Sequence, residues 1–184
     1  MSGWVLGLIG GSGLYDIEGL KNRRAERVHT PWGEPSDELV HGEIDGVRLV
    51  FLPRHGRGHR VSPTHINSRA NIDALKRAGC TDVLSLSAVG SLREGLAPGA
   101  FVAVDQYIDR TYAREPSFFG EGVAAHVSMA HPTCPRLSAM AAEAAQAAAR
   151  RRRSAGPMSV SRGRSSPPGR RASSTAPGGA TWSA

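Results

Sequence analysis

The sequence predicts an α/β fold over residues 1–150, with a sheet that contains parallel strands, followed by a segment with no fold of its own. Three observations carry that expectation. Short strand-like runs at residues 5–9, 47–52 and 82–87, the first two apolar, each end in a turn rich in glycine, proline or serine. A helical stretch separates the second run from the third, the strand–helix–strand order of a parallel pair. After residue 150 the composition switches to Arg, Ser, Pro and Gly, with one Val and no Leu, Ile or Phe. Such a stretch buries too little to offset the entropy of ordering it.

The first run, residues 5–9, reads as a short buried strand closed by Gly10-Gly11-Ser12-Gly13. Residues 14–45 are mixed, with turn signals at Pro31-Trp32-Gly33 and Asp45-Gly46. The run 47–52 is a second strand, stopped by Pro53, and Gly56 and Gly58 make residues 55–59 a loop. Ser62 then suits a helix N-cap and Pro63 a first helical position. The predicted helix covers 64–77, with Ile66, Ala70, Ala74 and Leu75 toward one side and Gly79 ending it. Residues 82–87 form a third strand and 101–107 a fourth, reached through Pro98-Gly99. The Ala-rich stretch 136–150 has helical propensity. No internal repeat is present.

A formal charge of +7 and a pI near 10.4 suggest a nucleic-acid or membrane partner, but the distribution of charge does not. Residues 1–150 hold 16 Lys and Arg and all 16 Asp and Glu; residues 151–184 hold the other seven Arg and no acid. The basic character belongs to the tail, where non-specific nucleic-acid contact is the only nucleic-acid binding expected. Cys80 and Cys134 lie far apart without metal spacing, which fits two small buried or partly buried hydrophobes in a reducing cytosol. Residues 4–9 are too short and lack the basic flank of a signal peptide or membrane span. The expected location is therefore cytoplasmic, with no membrane partner.

Three loops that follow strands hold polar groups: residues 10–13, 54–59 and 87–91. In open α/β sheets ligands gather beyond the carboxyl ends of strands. Glycines let backbone N–H groups face an anion, and Ser12 adds a hydroxyl. Arg54 offers a two-pronged guanidinium contact to phosphate oxygens, and Ser87 with the Ala88 N–H can close a cage. Each loop alone also reads as a plain turn or a surface patch. Gly10–Gly13 lacks the dinucleotide-fingerprint spacing, and no P-loop Lys-Ser/Thr pair follows. His55 and His59 are four apart but separated by glycines, which argues against a zinc-binding helix face, so no metal site and no cofactor are expected. Three such loops in one strand–helix–strand frame point to phosphate binding.

Several of these segments resemble the methylthioadenosine phosphorylases, a branch of the purine-nucleoside phosphorylases. They are Ile9-Gly10-Gly11-Ser12-Gly13-Leu14-Tyr15-Asp16, Pro53-Arg54-His55-Gly56-Arg57-Gly58-His59, Asn67-Ser68-Arg69-Ala70-Asn71-Ile72, Ser87-Ala88-Val89-Gly90-Ser91-Leu92 and Asp105-Gln106-Tyr107-Ile108-Asp109-Arg110-Thr111. They fall in order, at family-like spacing, through about Leu137. The resemblance implies a mixed, barrel-like sheet surrounded by helices, usually in a homotrimer. It implies a reaction in which phosphate, as co-substrate, converts 5′-methylthioadenosine to adenine and 5-methylthioribose-1-phosphate. It places Ser12, Arg54, His55, Ser87 and Ala88 around the phosphate and His59 on the ribose side. Relatives that cleave methylthioinosine or other purine nucleosides share these loops.

The sequence departs from the family after the Ala-rich helix. The expected Glu-Gly-Pro strand, the Met-Thr pair and the Asp-rich loop that supplies the acid for the departing purine do not occur in residues 151–184. A frameshift near Arg150 is the expectation, the alternative being a genuine disordered tail. No catalytic acid is assigned, and little or no phosphorolysis is expected of the chain as written. A non-catalytic phosphate- or nucleotide-binding module is the competing reading; phosphate binding without adenine release separates the two. A nucleic-acid binder acting through the tail predicts binding that falls steeply with salt.

Overall fold

The computed structural model describes residues 3–11, 17–112, 114, 115, 117–120, 122–153 and 160–162. They group into two compact units, one formed by residues up to 88 together with 111–123, the other by 89–110 and residues from 124 onward.

The first unit is built on a mixed five-stranded sheet in the order β2-β3-β4-β1-β5. Its strands are β1 (Val5–Gly10), β2 (Lys21–Glu26), β3 (Leu39–Ile44), β4 (Val47–Pro53) and β5 (Asp82–Leu86). β1 lies parallel to both β4 and β5, whereas β3 pairs antiparallel with β4 and β2 with β3. β4 ends in five consecutive buried residues, because an interior strand covered on both faces has no wet side to alternate with. The expected parallel strands at the first three apolar runs are therefore present within a residue or so of their predicted bounds.

One helix, α1 (Ser68–Arg77), closes the connection from β4 to β5. Its Ala74 and Leu75 are fully buried and pack with Val5, Ile9, Leu39, Val50 and Leu52 into the core. Both caps are side-chain or glycine devices. Asn67 Oδ1 accepts from the Ala70 N–H at 3.1 Å. At the other end Gly79 N–H donates to Lys76 O and Cys80 N–H to Leu75 O, a Schellman arrangement that needs the φ of +82° at Gly79. The helix was expected from residue 64 with Ser62 as its cap. Pro63–His65 instead forms a separate 3-10 turn, and Ile66 at φ −65°, ψ 120° is extended, so α-helix begins only after Asn67.

In the second unit, β6 (Phe101–Ala103) pairs in parallel with β7 (Val160–Arg162), and α2 (Pro135–Arg153) buries Ala142 and Ala149, seven residues apart on one face. The expected fourth strand over 101–107 is thus three residues long. Val104 and Ile108 beyond it are exposed, so nothing rewards extending it. α2 continues three residues past the compositional change at 150; of the later tail, only 160–162 lie within the described residues. Cys80 is half-buried as expected, but Cys134 is exposed, because it sits just ahead of α2, where its carbonyl accepts from Ser138 N–H. Among the described residues no helix is long and apolar enough to cross a membrane.

Candidate functional site

Since β1 lies between two parallel neighbours, Gly10 is level with Pro53 on one side and Leu86 on the other. The chain therefore leaves the sheet at three adjacent carboxyl ends, and the next residues are Gly11, Arg54 and Ser87. Strands lie about 4.8 Å apart, so Arg54 and Ser87 start roughly 10 Å from each other with β1 between. Arg54 spans that interval: its Nη1 donates to Ser87 Oγ at 2.5 Å. Its backbone N–H donates to Gly10 O at 2.9 Å, which prolongs the parallel ladder by one bond and fixes where the side chain starts.

The loop after Arg54 folds back on itself. His55 Nδ1 lies 3.0 Å from Val61 O, and Val61 N–H donates to His55 O at 2.9 Å. A carbonyl only accepts, so Nδ1 bears the proton, and Nε2 is left to accept from Arg54 Nε at 3.3 Å. Gly56 turns the chain at φ +67°, where a Cβ would meet Ser36 O at 2.9 Å. The His59 ring stacks on His55 with centroids 5.5 Å apart and planes at 17°, and its backbone adopts φ +55°.

A second segment braces this loop from behind. Asp37 Oδ2 accepts from Arg57 N–H at 2.6 Å, and Asp37 Oδ1 lies 3.4 Å from Arg60 Nη2. Ser36 N–H donates to Asn71 Oδ1 at 2.8 Å, and Asn71 Nδ2 to Ser36 Oγ at 3.0 Å, both buried. α1 thereby holds residues 36–37, which hold the Arg57–Arg60 turn.

Arg114, Ser117 and Phe118 make further contacts with residues 32, 63 and 69. Arg114 Nη2 donates to Pro63 O at 3.2 Å, and Arg69 Nη1 to Ser117 O at 3.3 Å. Phe118 meets Trp32 edge-on at 5.4 Å, and the Arg69 guanidinium sits 5.0 Å above the Trp32 ring.

Burial holds Arg54 below the usual arginine range, and the like charge of Arg114 adds to the effect. Among the described residues, Arg54 forms no ion pair with a carboxylate. A half-buried guanidinium bonded to a hydroxyl and to an imidazole acceptor is short of negative charge. The arrangement suits an anion with several acceptor oxygens.

Of the residues expected around such an anion, Arg54, His55 and Ser87 come together, and Ala88 follows Ser87, exposed at the strand end. His59 joins through its stack on His55. Ser12 lies outside the described residues; two residues before it, the Gly10 carbonyl accepts from the Arg54 N–H. Sequence reasoning missed Asp37, Asn71 and Arg114. Asn71 stands in a quoted motif but read only as helix, and Asp37 and Arg114 stand in segments with no periodicity to mark them.

This frame, parallel strands that end in glycine, arginine and serine loops, is matched by the Phosphorylase superfamily, whose profile covers residues 5–167. The chain belongs to that superfamily. Within it, the chain is similar to the S-methyl-5′-thioadenosine phosphorylase of Cereibacter sphaeroides, 63% identical over 143 residues, which cover 78% of this chain and 49% of that protein. A crystal structure of a methylthioadenosine phosphorylase from an Antarctic soil metagenomic library superposes with a TM-score of 0.77 at 44% identity, over 87% of this chain and 54% of that one. A double mutant of the adenosine/methylthioadenosine phosphorylase of Schistosoma mansoni gives 0.74 at 42%, over 79% and 54%. The chain spans about half the length of these relatives.

Proposed function

We propose that this chain carries the phosphate-binding part of a nucleoside phosphorylase site, for the phosphorolysis of 5′-methylthioadenosine to adenine and 5-methylthioribose-1-phosphate. The observation that supports it most is Arg54, half-buried, paired with no carboxylate among the described residues, and bridged to Ser87 across the ends of three parallel strands. Arg54, Ser87, the Ala88 N–H and Ser12 hold a phosphate dianion, His55 orients Arg54, and His59 faces the ribose. The dianion is both nucleophile and counter-charge to a ribose with oxocarbenium character. Its fixed placement supplies proximity and preorganised electrostatics. No cofactor is required, since phosphate is itself a substrate.

The departing purine needs a proton or hydrogen bond at N7. The family motifs expected to provide it do not occur in residues 151–184. Phosphate binding with little or no turnover is accordingly the behaviour proposed for these 184 residues, in a cytoplasmic setting and, for the whole enzyme, a homotrimer. Adenosine is a second candidate nucleoside, supported by the wording of the Schistosoma mansoni relative. Calorimetric titration with inorganic phosphate, beside a phosphate-dependent adenine-release assay on methylthioadenosine, tests the reading. Binding in the first with marginal signal in the second is expected. No phosphate binding would remove the site, and robust adenine release would overturn the proposed lack of turnover.

A further inference from the structure

We propose that Asp37 is a positioning residue of this site, one that sets phosphate affinity through the turn it holds and not through its charge; the inference rests on the phosphate reading above. Its side chain is only 7% exposed. Oδ2 accepts the Arg57 N–H at 2.6 Å, while Oδ1 accepts the Glu38 N–H at 2.8 Å and lies 3.4 Å from Arg60 Nη2. The same Nη2 donates to Ser36 O at 3.2 Å. Arg57 and Arg60 both lie inside the turn that His55 and Val61 close on each other, and that turn starts one residue after Arg54. A buried carboxylate is thus fixed to a main-chain N–H of the loop that carries the anion-binding arginine.

The bonding pattern calls for a carboxylate. Each oxygen of Asp37 meets an N–H donor, whereas an amide of the same shape has one acceptor and one NH2 group. Oδ1 serves two donors, one of them a cation, so an Asn oxygen would stay there and its NH2 would confront the Arg57 N–H. Losing that bond frees the turn on its Asp37 side. The His55–Val61 clasp keeps Nδ1 protonated, and Nε2 accepts from Arg54 Nε at 3.3 Å. Loosening therefore passes from Arg57 through His55 to the guanidinium that bridges to Ser87. Charge works in the opposite sense: a carboxylate behind the loop repels phosphate, so removing charge alone strengthens anion binding. Positioning and charge predict opposite signs.

Inorganic phosphate is titrated calorimetrically into the unaltered chain, Asp37→Asn and Glu38→Gln, with far-UV circular dichroism as the check on folding. Glu38→Gln makes the same change of charge one residue away, at an exposed side chain, and keeps its N–H. The expected result is a dissociation constant raised by roughly tenfold in Asp37→Asn and within about twofold of the unaltered chain in Glu38→Gln. Long-range 1H–15N spectra without phosphate should show His55 as the Nδ1–H tautomer in the unaltered chain and as a mixture in Asp37→Asn. Unchanged or tighter binding in Asp37→Asn, equal weakening in both variants, or an unchanged His55 tautomer overturns the positioning role and leaves the phosphate reading intact. If Asp37→Asn does not fold, Arg57→Pro and Arg57→Gln decide. Both lose the guanidinium and only the first loses the N–H; Arg57 opens a short 3-10 turn after Gly56 at ψ 161°, a position that accepts Pro. Weaker binding by Arg57→Pro than by Arg57→Gln is expected, and equal binding overturns the inference. Failure of the unaltered chain to bind phosphate overturns the phosphate reading itself, and this inference with it.

Discussion

Replacing Arg54 by methionine should remove phosphate binding while leaving the unliganded fold almost as stable as before. The change deletes the charged hydrogen bond to Ser87 at 2.5 Å. Hydrogen bonds to charged groups contribute about 1.5–3 kcal/mol. It also deletes a half-buried cation and its repulsion with Arg114, both of which disfavour the charged form. Arg54 is only half-buried and Ser87 is exposed, so water replaces much of the lost bond and relief of desolvation offsets the rest; the two changes should cancel to within about 1 kcal/mol. With phosphate present the balance differs. At a hundred times its dissociation constant a ligand stabilises the folded state by about 2.7 kcal/mol. For a unit of this size that corresponds to a rise of about 10 °C in melting temperature. The assay is thermal unfolding followed by circular dichroism, in phosphate and in chloride of matched ionic strength. The unaltered chain should melt about 10 °C higher in phosphate, and Arg54→Met at one temperature in both. A variant that keeps the phosphate-dependent rise would show that Arg54 does not hold the anion. A drop of more than about 3 kcal/mol without phosphate would show that it is a structural ion instead.

Three further outcomes follow from the same geometry. Asn71→Leu strands the buried N–H and hydroxyl of Ser36 and should cost about 2–4 kcal/mol in urea unfolding, and a cost under about 0.5 kcal/mol would contradict the bracing role given to Asn71. Burial pushes the Cys80 thiol from near 9.0 up to about 11, so the folded chain keeps that proton where the unfolded chain loses it; the Cys80 contribution to stability is full below pH 9 and falls as pH rises toward 11. Iodoacetamide at pH 8.5, read by mass spectrometry, should accordingly modify exposed Cys134 about tenfold faster than Cys80. Finally, β2 forms one edge of the sheet with Lys21, Arg23 and Arg24, whereas β5 forms the other with Val83, Leu84 and Leu86; Ser85→Lys should reduce aggregation measured by light scattering, and an unchanged rate would place the association elsewhere.

What the sequence revealed and what it hid follow from burial. β1 and β4 were legible because strands inside a sheet read as apolar runs, and β5, at the edge, because Val83, Leu84 and Leu86 follow the helix in strand–helix–strand order. β2 was not, since Lys21–Glu26 contains a single apolar residue, Ala25, and is a strand only through its pairing with β3. β3 begins with buried Leu39 and Val40, but His41, Gly42 and Glu43 break the pattern. Arg54, His55 and Ser87 stood out because each closes or follows a legible strand. Arg114 did not: its Nη2 meets the Pro63 carbonyl, 51 residues away in the chain, and no local pattern encodes such a contact.

The loop after β4 shows how the fold decides which of three similar residues faces the ligand. Arg54, Arg57 and Arg60 recur every third residue, and nothing in the sequence ranks them. Their surroundings do. Arg57 lies 3.8 Å from Glu38, and Arg60 3.4 Å from the buried carboxylate of Asp37, whose other oxygen also accepts the Arg57 N–H. Those two arginines have their counter-charge within the protein, supplied by a segment that α1 holds in place through Asn71. Arg54 points the other way, along the carboxyl ends of the parallel strands, where it meets Ser87 and the like charge of Arg114. Had Asp37 faced Arg54 instead, the ion pair would have filled the position that an anion needs, at a desolvation cost the anion could not recover. Keeping the acids behind the loop leaves the deficit of negative charge at the one arginine over the strand ends, which is where a dianionic substrate can supply it.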